Sequence, residues 1–122
     1  MLVVDAHDLG PWACLAPDLV TPSYAEARWL LSSELTDAAD GSRAAAVVSC
    51  RTALLERTNA RVVAVTLDVD GAVVLARDGS SLRTRAAPVP HSRATGAGDV
   101  YTAAFTLALA AGAPLVDAAD VA

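Results

Sequence analysis

The sequence has 122 residues, 54% of them hydrophobic, with nine basic side chains against fourteen acidic ones and a net charge of −5. That length allows one small domain with a modest core and leaves no room for two. All nine basic residues are arginine, which excludes a lysine-dependent phosphate loop or Schiff base, and one Phe, two Tyr and two Trp without a basic cluster argue against nucleic-acid binding.

Mean hydropathy is +0.42, yet Pro, Gly, Asp or Arg interrupts each apolar run well short of the roughly 20 residues that a membrane span needs. The expectation is a soluble, cytoplasmic chain with no membrane partner, since the opening LVVDAHD lacks the basic and long apolar regions of a secretory signal. Cys14 and Cys50 are too few and too far apart for a disulfide framework or a CxxC site, and read as reduced, buried small apolar residues.

In chain order, Leu2-Val3-Val4 is a short buried-strand candidate, followed by a loop around Pro11, Pro17 and Pro22. From Ser23 to about Ser33, Ala27, Leu30 and Leu31 fall at helical spacing. Asp40-Gly41 punctuates the chain before a second helix, predicted as one piece over Ala44 to Arg57. The period then changes. Arg61 to Leu67, Ala72 to Ala76 and Leu82 to Ala86 are β-branched or alternating runs separated by Asp70-Gly71 and Asp78-Gly79, two hairpin signals that predict a β-meander. Past Pro88 and Pro90 comes RATGAGD, then an Ala/Leu-rich helix through Ala110, a Gly112-Ala113-Pro114 break and a last helical start. Alternating strands and helices argue an α/β layer architecture.

Residues 93–99 carry the strongest chemical signal. Backbone N–H groups at a helix start are unpaired and point outward, and the helix dipole adds partial positive charge, so an anion is favoured there. Gly96 and Gly98 allow a sharp turn and a close approach of phosphate to the amides, making a small anion hole. Asp99, in the first turn, either accepts N–H bonds as a cap or faces reacting atoms as a general base. The Thr95 hydroxyl either orients the anion loop or closes a local turn.

With these residues in view, the chain resembles the ribokinase/PfkB family of ATP-dependent carbohydrate kinases, whose signature is written D-x-x-G-A-G-D. Arg93 stands at the first acidic position and reverses its charge. The resemblance implies that the amides of Gly96, Ala97 and Gly98 stabilise the transferring phosphoryl group and that Asp99 takes the proton from a sugar hydroxyl. Thr21-Pro22-Ser23-Tyr24-Ala25-Glu26-Ala27 resembles the family's T-P-N-x-x-E-A segment, with Ser23 in place of Asn and Glu26 matching. That segment implies that Ser23 and Glu26 support Mg²⁺ near the phosphates, while their spacing also fits a capping box opening the helix. Thr66-Leu67-Asp68-Val69-Asp70-Gly71 resembles the nucleotide-approaching T-x-G-x-x-G loop, with Asp68 in the first glycine's place. Thr66, Asp68, Gly71 and Thr95 are the implied ATP contacts.

The implied fold is a ribokinase-like three-layer α/β/α, present as a C-terminal partial domain over residues 1–122 with the meander ahead of the GAGD helix. Family members are well over twice as long, so a missing N-terminal half is an implied partner beside ATP and a sugar or sugar phosphate. The run from TGAGD to AAGAP is most similar to bacterial heptose-phosphate kinases. The alternative is a non-catalytic, truncated or partner-dependent module. A dinucleotide-binding Rossmann unit needs G-x-G-x-x-G after the first strand, which LVVDAHDLG lacks. Asp5 reads as a loop carboxylate with a minor claim to the site. His7 and His91 read as loop side chains, and Trp12 and Trp29 as core or partly buried packing residues.

Overall fold

The computed structural model describes residues 1–32, 34–36, 38, 41–86 and 95–122. The readings on Asp40, Pro88, Pro90, His91 and Arg93 lie outside them. Among the described residues, five strands form one sheet in the order β1-β2-β3-β4-β5. β1 is Val3–Val4, β2 Leu19–Val20, β3 Val62–Thr66, β4 Ala72–Ala76 and β5 Ser81–Thr84. β1, β2 and β3 run parallel, whereas β3, β4 and β5 form the predicted antiparallel meander.

Residues alternate strictly across the central strands, and both faces are dry. Val63, Val65, Val73 and Leu75 pack on one side with Ala27, Leu31, Val47 and Leu54. These come from α1 (Tyr24–Leu31), α2 (Arg43–Ser49) and α3 (Arg51–Thr58). Ala64 and Val74 pack on the other side with Phe105, Ala118 and Ala119, from α4 (Ala97–Ala110) and α5 (Leu115–Val121). A strand buried on both faces reads as a continuous apolar run, as VVAVT and AVVLA do. The result is the three-layer α/β/α arrangement.

Several local expectations are corrected. The proline-rich loop contains β2, too short at two residues to show a period; pairing with β1 and β3 makes it a strand. The predicted helix over 44–57 is two helices, broken at Cys50. There the Ser49 hydroxyl donates back to the Ala45 carbonyl at 2.9 Å, and the Cys50 N–H is shared between the Ala46 and Val47 carbonyls. Such back-bonding bends a helix. β5 begins one residue early and stops at Thr84, because its partner β4 starts at Ala72.

Cys14 is exposed and Cys50 half-buried, since Cys14 lies in a 3-10 turn, Gly10–Leu15, that buries none of its residues. Trp12 in the same turn is 44% exposed and Trp29 63%. α1 turns Tyr24, Ala27 and Leu31 to the core, and position 29 lies on the opposite side of that stripe. α4 is apolar on nearly all sides, but only Phe105 is fully buried; Val100 and Leu107 face outward. Among the described residues no helix is long and apolar enough to cross a membrane.

Candidate active site

The carboxyl ends of the three parallel strands and the amino end of α4 meet at one edge of the sheet. That edge is where open α/β sheets place their ligands. Asp5 follows β1, Thr21 follows β2, and Thr66 ends β3. The Thr102 hydroxyl on α4 lies within hydrogen-bond reach of the Thr21 hydroxyl at 2.9 Å and of Asp5 Oδ2 at 3.3 Å. Thr102 is one turn beyond Asp99 on the strand-facing side, so it pins the first turns of α4 to the ends of β1 and β2. Asp5 therefore belongs to this framework and is more than a loop carboxylate.

α4 starts from Gly96, in the left-handed region at φ +85°, with no side chain capping it. Asp99 is exposed and has no hydrogen-bond partner among the described residues. The cap reading is therefore not realised. The carboxylate stays free beside open N–H groups, although a capping bond is what a first-turn carboxylate ordinarily makes. Gly98 sits inside the helix, and a Cβ built there meets nothing within 4 Å. Packing among the described residues does not require glycine at that position.

A cleft of about 170 Å³ joins the two predicted motifs: Thr66, Asp68 and Gly71 line one wall, Ala97, Gly98 and Tyr101 another. Asp68 has φ +54°. The position held by glycine in the resembling loop thus keeps the left-handed backbone, which Asp tolerates better than most residues. Gly71 has no such substitute, because at φ +84° an added Cβ would lie 2.1 Å from the Thr84 carbonyl oxygen. The Tyr101 hydroxyl is buried without a partner among the described residues, and burial pushes its pKa up to about 12.

Ser23 and Glu26 do not line this cleft. They form the capping box of α1: the Ser23 hydroxyl accepts from the Glu26 N–H at 3.3 Å, and Glu26 Oε2 accepts from the Ser23 N–H at 2.8 Å. They are nonetheless tied to it, since Ser23 bridges Thr66 and the Thr66 N–H donates to the Pro22 carbonyl at 3.0 Å. His7 Nδ1 contacts the other Glu26 oxygen, so His7 is more than a plain loop side chain. Burial pushes the Glu26 carboxyl up, but the Ser23 backbone N–H, His7 and the Ser23 hydroxyl together hold it below the usual glutamate range.

Among the described residues no group of three or more His, Cys, Asp or Glu is placed to hold a metal ion. Mg²⁺ in phosphoryl-transfer sites needs only one or two carboxylates beside the substrate phosphates. Glu26 meets that number, with both of its oxygens already engaged. The open amides of Ala97 and Gly98 fit a phosphate directly. Thr95, exposed like Gly96 and Ala97, makes no hydrogen bond among the described residues.

Sequence reasoning missed Arg43, Tyr101 and Thr102. Thr102 was open to discovery, as a polar residue three positions beyond Asp99 in a mostly apolar helix. Arg43 carried no signal, because its partners lie more than twenty residues away.

The comparisons agree with this fold. No curated protein matches the sequence. Phosphofructokinase-2 from Escherichia coli, in complex with substrates and products, is 27% identical with a TM-score of 0.79, over 96% of this chain and 37% of that one. A PfkB protein from Polaromonas sp. JS666 is 27% identical with a TM-score of 0.61, over 88% of this chain and 31% of that one. Adenosine kinase from Sinorhizobium meliloti shares the fold at 23% identity and a TM-score of 0.67, over 93% and 32%. The chain thus spans about a third of the length of the solved structures it matches. Residues 13–122, which contain β2 to β5 and every predicted site residue, match the model of the pfkB family carbohydrate kinases, and the chain belongs to that family.

Proposed function

We propose that this chain forms the nucleotide-side portion of an ATP-dependent carbohydrate kinase. One observation carries the reading: the fold brings Thr66, Asp68 and Gly71 into the same cleft as Ala97 and Gly98, with the unpartnered Asp99 carboxylate in the adjoining first turn. ATP phosphates would lie against the Ala97 and Gly98 amides, with Gly96 supplying the turn and Thr95 flanking it. Asp99 accepts the proton of a sugar or sugar-phosphate hydroxyl as that oxygen bonds to the γ-phosphorus and the bond to the ADP oxygen breaks. The amides donate to the phosphoryl oxygens as charge develops on them. Mg²⁺, when bound, supplies charge neutralisation on the phosphates, with Glu26 and Ser23 as its nearest protein support.

On this reading the sugar pocket and the rest of the nucleotide pocket are supplied by a further part of the fold, as supported by the chain spanning only 37% of the phosphofructokinase-2 chain that it matches. The test is γ-phosphoryl transfer from ATP to a panel of sugars and sugar phosphates, using the chain and a version completed by a family N-terminal portion. Transfer by the completed form supports the reading. A completed form that folds and neither binds Mg-ATP nor transfers phosphate refutes it. The second reading, a non-catalytic fragment that binds nucleotide weakly or not at all, is favoured by the Asp68 carboxylate in the cleft; a completed form that folds, binds Mg-ATP weakly or not at all and transfers no phosphate would establish it.

A further inference from the structure

Asp68 poses an electrostatic problem. A cleft meant for a polyanion carries the carboxylates of Asp68 and Asp120 on its walls, with Arg85 as the cation among its described lining residues. At short range one uncancelled carboxylate opposes phosphate binding, even with the Asp68 side chain 73% exposed.

Arg43 answers it from outside the cleft. Its Nη1 donates to Asp68 Oδ2 at 3.2 Å, and its Nη2 donates to the Leu67 carbonyl at 2.6 Å and to Asp70 Oδ2 at 2.8 Å. The guanidinium also stands 5.6 Å from the centre of the Tyr24 ring. Arg43 is the first residue of α2, where a cation faces the unfavourable end of the helix dipole. Its position therefore costs α2 stability, and its contacts all lie with the β3–β4 loop and Tyr24. The loop it holds is the one in which Asp68 adopts the left-handed backbone and Gly71 packs against Thr84.

We propose that Arg43 is a positioning residue: it clamps the Leu67–Gly71 loop and, with a guanidinium shared between Asp68 and Asp70, offsets the Asp68 charge, so that a phosphate chain can occupy the cleft. The charge-offsetting half rests on the nucleotide-site reading above; the clamp does not.

The test uses the 122-residue chain. Calorimetric titration with Mg-ATP and, separately, with inorganic tripolyphosphate is combined with amide hydrogen exchange at residues 67–71 without ligand. Arg43→Gln is expected to speed exchange in the loop and to weaken both ligands by about tenfold. Adding Asp68→Asn to Arg43→Gln should restore affinity to within about threefold of wild type, a rescue that general structural damage would not show. Unchanged exchange in Arg43→Gln overturns the clamp, and failure of Asp68→Asn to rescue overturns the charge offset. If Arg43→Gln does not fold, Asp68→Asn with Arg43 intact carries the test. It should tighten tripolyphosphate binding and steepen its salt dependence, and unchanged affinity overturns the proposal. If the wild-type chain alone binds neither ligand, the same titrations are run on the version completed by a family N-terminal portion; failure of that form to bind either ligand refutes the nucleotide-site reading, while the exchange rates still decide the clamp.

Discussion

Replacing Gly98 by alanine separates what the fold needs from what a ligand needs. The position is helical, and an added Cβ meets nothing within 4 Å, so alanine enters without strain and restricts the unfolded chain. The expected gain is about 0.4–1 kcal/mol, or roughly 2–4 °C in Tm for a domain of this size. The same Cβ occupies the space in front of the amides, so phosphate binding should weaken about tenfold, which removes about 1.4 kcal/mol of ligand stabilisation at fixed excess nucleotide. Gly96→Ala is the control of opposite sign. At φ +85° alanine should cost about 1–2 kcal/mol. Thermal melts of the three proteins with and without Mg-ATP read both effects. A Gly98→Ala protein that melts higher and keeps the full nucleotide-induced shift would refute the anion-hole geometry. One that melts lower would refute the packing argument.

Three other outcomes are expected. Asp99→Asn lowers stability by no more than about 0.3–1 kcal/mol, the worth of a first-turn charge on the helix dipole, because the carboxylate has no described hydrogen-bond partner to lose, and lowers phosphoryl transfer by the completed kinase by about 10²–10⁴-fold; transfer above a tenth of the parent rate rules out the base role. Gly71→Ala places a methyl 2.1 Å from the Thr84 carbonyl oxygen and should destabilise by more than about 2 kcal/mol, read by urea unfolding, with a loss under half that value showing that the β4–β5 junction relaxes. Ultraviolet titration should find Tyr101 ionising near pH 12. Because its folded pKa lies above the ordinary tyrosine value of 10.0, the unfolded chain loses its proton first, and this contribution to stability is present below pH 10 and lost as pH rises toward 12. Tyr101→Phe removes that pH dependence and, since the hydroxyl has no described partner, should not destabilise at neutral pH. A Tyr101 that ionises near 10 would contradict its burial.

The central layer was legible in the sequence because strands buried on both faces leave an unbroken apolar record, and VVAVT, AVVLA and the Asp-Gly turns between them are local signals. The GAGD helix start and the Ser23-x-x-Glu26 box were legible for the same reason: the amides, the glycines and the capping partners lie within four residues of one another. β2 was not, since two residues carry no period and only pairing on both edges makes Leu19–Val20 a strand. The break at Cys50 was hidden because AAAVVSCRTALLER has helix propensity throughout, and a single hydroxyl-to-carbonyl bond from Ser49 decides the bend. The fate of Asp99 was also beyond the sequence, because a first-turn carboxylate looks alike whether it caps or stands free. The assembly of the site was a tertiary decision. Thr66, Asp68 and Gly71 reach Ala97 and Gly98 only because the parallel order of β1, β2 and β3 brings their carboxyl ends to the start of α4. Arg43 meets Asp68 and Asp70 only because α2 packs on β4 with its first residue beside the β3–β4 loop. Contacts separated by more than twenty residues leave no pattern in the chain, since their spacing is set by how the layers stack.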